Sequence, residues 1–496
     1  MTEDKRSSGN FIRDFSFYSL ADAIPSLVGF IALITVTHIF STTEYGKYTL
    51  TIAFVTILST ALFDWLRQSI LRFESSSEDI TPTSLSLLVV LTSLIGLGGI
   101  VGYYVLKPQL GNYAPFYVAG VIALIGMGLF KVLSSIFQAR LQSGHVLRFK
   151  TLNGTLRHGL GVILSIYVFG TTVGWIWGAA VGSIVSVIGI LSQLSSLRLS
   201  FNPDIARKLA RYGVPMIGWL FGLTLLNFID RVLIETLQGT AAVGIYSANY
   251  MLVQTGLPLV LTPIIEASHP VIMERWNGDN EKTVSKLISE YSRYYLILGV
   301  PAAIFAGAIS QPLSFLVLGE EYQVGFVVIP IISASLFFWN FSMIGHKGLE
   351  IHDRTSIMTT GIVLSVVVNI ILNFMLIPDF GYVGASFATL FSSAIYMVFS
   401  YFMSLKTVKW RTPTTTILRV GASAVAMTFI CILSYIITTT EIVIPTLAAI
   451  CGFIIYATLL TILGEIQEED MQIFKTVPFI SYNTIYSTWK ILQITE

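Results

Sequence analysis

Charge is what this 496-residue sequence has least of: 11% of its residues are Asp, Glu, Lys or Arg, against about 25% in soluble proteins. Hydrophobic residues make up 54% of the chain and the mean hydropathy is +0.75. A chain this long and this apolar cannot hide its hydrophobic surface in a water-soluble core, so the expected class is an all-α polytopic membrane protein. Cysteine is nearly absent. Cys431 and Cys451 both lie in apolar runs and read as packing residues rather than a disulfide or metal pair. The six histidines (38, 145, 158, 269, 346 and 352) have no ligand spacing, and no P-loop is present. No catalytic constellation, metal or cofactor is therefore expected, and the sign pattern of the charges gives no reason to expect nucleic acid. A cleavable signal peptide is not apparent either. The first apolar run follows the polar start MTEDKRSSGN without a convincing small-residue cleavage site.

What is present is a succession of apolar runs. A helical span needs about 20 such residues, and on that rule the sequence predicts fourteen helices. They fall near 14–39, 46–66, 83–106, 114–138, 150–169, 173–196, 212–237, 241–266, 291–312, 325–346, 356–377, 382–405, 415–438 and 442–464. The Lys and Arg residues alternate with them. Twenty-four fall in one set of connections and only Lys47 and Lys107 in the other. The positive-inside bias then predicts that both termini are cytoplasmic and that the chain is multi-pass in the cell membrane. The outer connections are short and chemically sparse. The longest inner one, 267–290, is rich in charge and reads as partly an amphipathic helix.

The chain also repeats itself. STTEYGKYTL, between the first two helices, matches GTAAVGIYSA, between the seventh and eighth, so that Tyr45-Gly46-Lys47-Tyr48 aligns with Val243-Gly244-Ile245-Tyr246. GWIWGAAVGS from Gly174 resembles GYVGASFAT from Gly381. Two matches in the same order at similar offsets predict two six-helix lobes, 1–200 and 201–410, in parallel pseudo-two-fold repeat around a central cavity. An extra two-helix hairpin (411–470) and a cytoplasmic tail (471–496) follow.

Arg211-Tyr212-Gly213-x-Pro215, the intramembrane pair Asp230-Arg231, and Gly239-x-x-Ala-Val-Gly-Ile-Tyr246 together resemble the polysaccharide-repeat-unit flippases. These are the Wzx-type exporters of the multidrug/oligosaccharidyl-lipid/polysaccharide (MOP) superfamily. The run Leu376 to Ala385 (LIPDFGYVGA) looks like that family's start to its twelfth helix. The resemblance covers essentially the whole chain. It implies two lobes forming a V, and a polyprenyl-diphosphate-linked glycan carried from the cytoplasmic to the outer leaflet by alternating access. Its implied partners are that glycan, membrane lipids, a coupling cation (H+ or Na+) and the glycan-assembly machinery.

A carrier for such a substrate needs fixed positive charge in a watered cavity, and Arg suits phosphate best because its planar fork binds two oxygens. Asp22, Lys131 and Arg157 are expected at one depth, about 10–14 Å above the cytoplasmic boundary at 1.5 Å per residue. Two bases and an acid at a common level suit an inward-open diphosphate site, with Asp22 as a partner or a proton carrier and so a coupling or gate residue; the bland reading is an ion-pair cluster that holds one lobe together. Arg67, Gln68 and Arg72, near Asp64, mark the cytoplasmic end of the second helix. They suit first capture of a headgroup, although Arg there also obeys the positive-inside rule. Asp230 and Arg231 are expected near the outer face, where Arg231 can reach Glu235 or Asn227, and read as a gate before a diphosphate site. Asn249 and Gln254 are candidate cavity polar groups, and Glu266 a coupling or gate residue. Asn369 and Asn373 read more readily as interhelical bonds than as sugar contacts. Within the same superfamily the alternatives are a lipid II flippase and a multidrug or cation antiporter. Outside transport, a membrane glycan polymerase or ligase would need charged outer loops that this chain lacks.

Overall fold

The computed structural model describes residues 2–74, 79–194, 198–278, 281–437, 442–467 and 470. The expected tail at 471–496 lies outside the described residues. Every element among them is helical. In order they are α1 (Thr2–Ile39), α2 (Thr42–Phe73), α3 (Thr81–Leu110), α4 (Ala114–Ala139), α5 (143–169), α6 (Val173–Leu191), α7 (Pro203–Gln238) and α8 (Thr240–Gly256). There follow α9 (Pro258–Gly278), α10 (Glu281–Ala308), α11 (Ser310–Val317), α12 (Val328–Gly345), α13 (Thr355–Ser404), α14 (Thr414–Ile437) and α15 (Val443–Ile462).

Nine stretches among the described residues are helical, long and apolar enough to cross a membrane, and counting two bent pairs as one span each gives eleven. That count differs from the fourteen expected for identifiable reasons. Thr81–Ala139 counts once, yet it turns back at Gly111 (φ 45°), and Gly99 and Gly102 face Val121 and Tyr117 across the turn. α13 likewise breaks at Gly381 (φ 62°, ψ −145°), a conformation only glycine adopts without strain. α5 falls outside the count because two of its turns, Leu156–Leu160 and Leu164–Phe169, are π-helical. The bent pairs are α8–α9 (47°) and α10–α11 (58°).

Contacts group the residues into two compact units. The first holds the described residues within 1–248, 318–322 and 370–385, and the second those within 249–317, 323–369 and 386–470. In the first unit α1 and α5 run parallel, with Gly154 against Pro25 and Gly29 against His158. α2 and α7 run antiparallel along their whole length. Ser69 Oγ donates to the Leu209 carbonyl at 2.7 Å, Thr224 Oγ1 donates to Thr60 Oγ1 at 3.1 Å, and Gly213 lies flat on the Trp65 carbonyl. Lipid tails are as apolar as leucine, so close backbone approach and buried hydrogen bonds, rather than water exclusion, hold such helices together. This pairing is why α7 joins the first unit although the sequence repeat starts a second lobe near residue 201. A core of Phe63, Leu66, Ile70, Leu133, Ile136, Phe149, Ile190 and Leu209 fills the space among α2, α4, α5, α6 and α7.

In the second unit the hairpin α14–α15 packs on α10 through Met427, Cys431, Ala449, Tyr456 and Leu460, with Ile297 and Val300 against them. Tyr456 donates to the Ile297 carbonyl at 3.0 Å. An ion cluster closes one end. Arg293 meets Glu465 at 2.8 Å and Asp470 at 2.7 Å, and Arg419 meets Glu465 at 3.2 Å. The polar connection 267–290 is helical in its described parts.

Candidate functional site

The ionisable residues predicted from sequence divide between the units. In the first unit, α2 supplies Asp64 and α4 supplies Lys131, whose ammonium lies 2.7 Å from the carboxylate. Asp64 is buried, so the pair is needed to offset its desolvation. Arg67 and Gln68 follow on the same helix, half-buried, and Arg72 is exposed near the helix end. There Lys208 sits over the Phe73 ring at 4.8 Å.

Asp22 pairs with Lys150, not with either base expected beside it, at 2.8 Å. The expectation of one common depth is corrected by the start of α5. The helix begins at Ser143 rather than near residue 150, so Arg157 lies about 21 Å along it. Its guanidinium interacts with the hydroxyl of Tyr48, whereas Lys131 meets Asp64, sixteen residues farther along α2, about 24 Å away. Lys131 and Arg157 therefore occupy two levels.

Arg157 stands apart in its surroundings. It lies in the first π-helical turn, where i→i+5 bonding widens the backbone, a feature that recurs at functional sites. That turn is packed tightly. Gly178 and Gly182 bring α6 against the Arg157 backbone, and Trp175 Nε1 donates to His158 Nδ1 at 3.2 Å. Tyr48 stacks on Trp175 at 4.3 Å. The Arg157 Nε is buried without a hydrogen-bond partner. Among the described residues no carboxylate lies within ion-pair distance of it. An intramembrane cation is costly unless paired or hydrated, and a buried donor left empty costs further.

At the end of the first unit that carries Ile39 and Thr240, the chain is closely packed. Asp230 is buried and accepts from Tyr246 Oη at 2.8 Å and Asn373 Nδ2 at 2.9 Å. Arg231, also buried, donates to the Asn227 carbonyl at 2.6 Å, one of its two expected partners. Its guanidinium lies over the rings of Phe228 and Tyr246. Glu235, the other expected partner, instead accepts from Tyr113 and Thr240, each at 2.9 Å. Glu321 accepts from the Thr42 amide at 3.2 Å, and Tyr322 donates to the Phe40 carbonyl at 2.8 Å. Gly46 lies on the Thr240 carbonyl and Gly244 on the Thr42 carbonyl. These are the two turn motifs that matched in sequence.

In the second unit Asn249 is buried and accepts from Ser314 at 3.0 Å, so it braces α8 against α11. Gln254 and Glu266 are exposed. His269 lies 3.0 Å from Lys347 Nζ and 3.2 Å from Glu350. Among the described residues no group of three His, Cys, Asp or Glu could hold a metal ion. Sequence reasoning missed Lys150, counted only as a loop cation, and the tyrosines 45, 48 and 322. The spacing of Lys150 and Arg157, seven residues and so one helix face, was the available signal.

A family of proteins described as "Polysaccharide biosynthesis protein" matches residues 11–276. The chain belongs to this family. Among its curated relatives, "Probable flippase AglR" of Haloferax volcanii is 25% identical over 76% of this chain and 82% of that protein. "Probable low-salt glycan biosynthesis flippase Agl15" of the same organism is 24% identical over 47% of this chain and 50% of its own length. Of solved structures, the lipid II flippase MurJ in an inward closed conformation matches with a TM-score of 0.76 at 14% identity, over 90% of this chain and 98% of that one. An inward-facing multidrug resistance transporter of the MATE family follows at TM-score 0.58 and 14% identity, over 82% and 94%. The family member therefore has the fold of the MOP superfamily, a multi-pass helical membrane protein.

Proposed function

We propose that the protein is a flippase that moves a polyprenyl-diphosphate-linked oligosaccharide from the cytoplasmic to the outer leaflet for cell-surface glycan assembly. The observation that carries this reading is Arg157, an intramembrane guanidinium with no ion-pair carboxylate among the described residues and a buried, empty Nε. A diphosphate supplies the missing acceptors, and an arginine fork can bind two of its oxygens. The glycan-biosynthesis and flippase names of the curated relatives support the same class of cargo. The Lys/Arg bias supports cytoplasmic termini, and on that reading the packed Ile39 end is the outer side. On this reading the lobes 1–200 and 201–410 alternate access, Arg67, Gln68, Arg72 and Lys131 meet the headgroup first, and Asp230-Arg231 keeps the outer side shut. Gln254 and Glu266 are assigned to the second lobe's contribution, with H+ or Na+ as the coupling ion.

The test is transport of a prenyl-diphosphate glycan in reconstituted vesicles. Arg157→Ala should abolish translocation at unchanged protein abundance, and Arg157→Lys should keep part of it. Full activity in Arg157→Ala would sink the reading.

A further inference from the structure

We propose that Asp22 is a displaceable counter-ion, which holds Lys150 while the diphosphate is absent and gives it up when the diphosphate arrives. The proposal rests on the flippase reading of Arg157. Lys150 and Arg157 are seven residues apart on α5, and that spacing puts them on one face about 10 Å apart along the axis. The cytoplasmic start of α5 makes Lys150 the first of the two that an entering headgroup meets.

The two cations differ in how they are kept. Arg157 has no carboxylate in ion-pair range among the described residues. Lys150 has Asp22 at 2.8 Å, with 32% of the lysine side chain and 70% of the aspartate side chain exposed. A structural ion pair in a membrane helix is expected to be enclosed, as Asp64 is at 6% exposure against Lys131. Asp22–Lys150 is instead open on the carboxylate side, and an exposed pair is worth only about 0–1 kcal/mol. Little is lost when a diphosphate oxygen replaces the carboxylate, and the freed Asp22 is received by water. The placement of Asp22 is fixed from elsewhere. One turn on, Pro25 packs against Gly154, and a turn further Gly29 packs against His158. The carboxylate is thereby held at the level of Lys150 whether or not it is bonded. Its return drives the diphosphate off Lys150, so the same residue that weakens binding speeds release.

A merely structural Asp22 would weaken binding when removed; a competing Asp22 would strengthen it. The probes are inorganic pyrophosphate and farnesyl diphosphate, titrated against the full chain in nanodiscs of zwitterionic lipid. Asp22→Asn should bind both about two- to fivefold more tightly than wild type, the size of one exposed ion pair, while glycan transport slows. Lys150→Ala should bind more weakly, and adding Asp22→Asn to it should change nothing further. Asp22→Ser, which removes the charge with a different shape, should repeat the tightening. Unchanged or weaker binding in both Asp22 variants would overturn the proposal, as would tightening that survives Lys150→Ala. Failure of the underlying reading has its own signature: wild type and Arg157→Ala would bind pyrophosphate alike, and the counter-ion role would fall with it.

Discussion

Asn373 donates a 2.9 Å hydrogen bond to Asp230, a residue 143 positions earlier in the chain. Both side chains are fully buried, and Tyr246 supplies a second donor to the same carboxylate at 2.8 Å. Removing one donor from a buried carboxylate costs about 1–3 kcal/mol. Asn373→Leu and Tyr246→Phe should therefore each lower the thermal unfolding temperature of the purified protein. The double variant should lose less than the sum, because partners sharing one acceptor are coupled. Strictly additive losses would mean that the two bonds are independent and that Asp230 does not join them.

The Lys131–Asp64 pair separates stability from transport. Lys131→Met leaves a buried carboxylate without its cation and should destabilise by about 1–3 kcal/mol. Lys131→Met combined with Asp64→Asn should restore most of the unfolding temperature, since no charge is then left stranded. If Lys131 also receives the diphosphate, the stable double variant should remain inactive in vesicle transport. Recovery of transport together with stability would confine Lys131 to a structural role.

A pH effect is expected at the end of the α14–α15 hairpin. Burial alone would raise the Asp470 pKa, but hydrogen bonds from Arg293 and the Gln467 amide outweigh it and hold the carboxyl below its ordinary value. A depressed folded-state pKa gives stability that is present above the unfolded value near 4 and is lost as pH falls through the folded one. The unfolding temperature should thus drop on acidification from about pH 4 downward. Asp470→Asn should be less stable than wild type at neutral pH and show a shallower acid drop. An identical acid profile in the two proteins would show that Asp470 contributes nothing to the clasp.

Helix class, the buried charges Asp64, Asp230 and Arg231, and the matched turns were legible because apolar run length, desolvation cost and local repetition are properties of short stretches. Arg157 was placed too near the start of its helix because the polar start of α5, SGHVLRFK, reads as a loop when only apolar length defines a span. Pairing was less legible still. Asp64 finds Lys131 67 residues away and Asp22 finds Lys150 128 residues away, whereas helix spacing put Asp64 on one face with Arg67 and Gln68, and estimated depth put Asp22 level with Lys131 and Arg157. Helix spacing names the faces of one helix, and the partner depends on which helices are neighbours. The π-helical turn that presents Arg157 has no marker in residue type.

The contact of Gly46 with the Thr240 carbonyl and of Gly244 with the Thr42 carbonyl has a further consequence. Residue i touches j and the counterpart of j touches the counterpart of i, at one offset of 198, which is the rule of an isologous patch in a two-fold dimer. Here both halves of the patch lie on one polypeptide. A side chain added to either turn would strike the backbone of the other, so neither turn can drift in shape unless its counterpart follows. That mutual constraint ties the shape of one turn to the shape of the other.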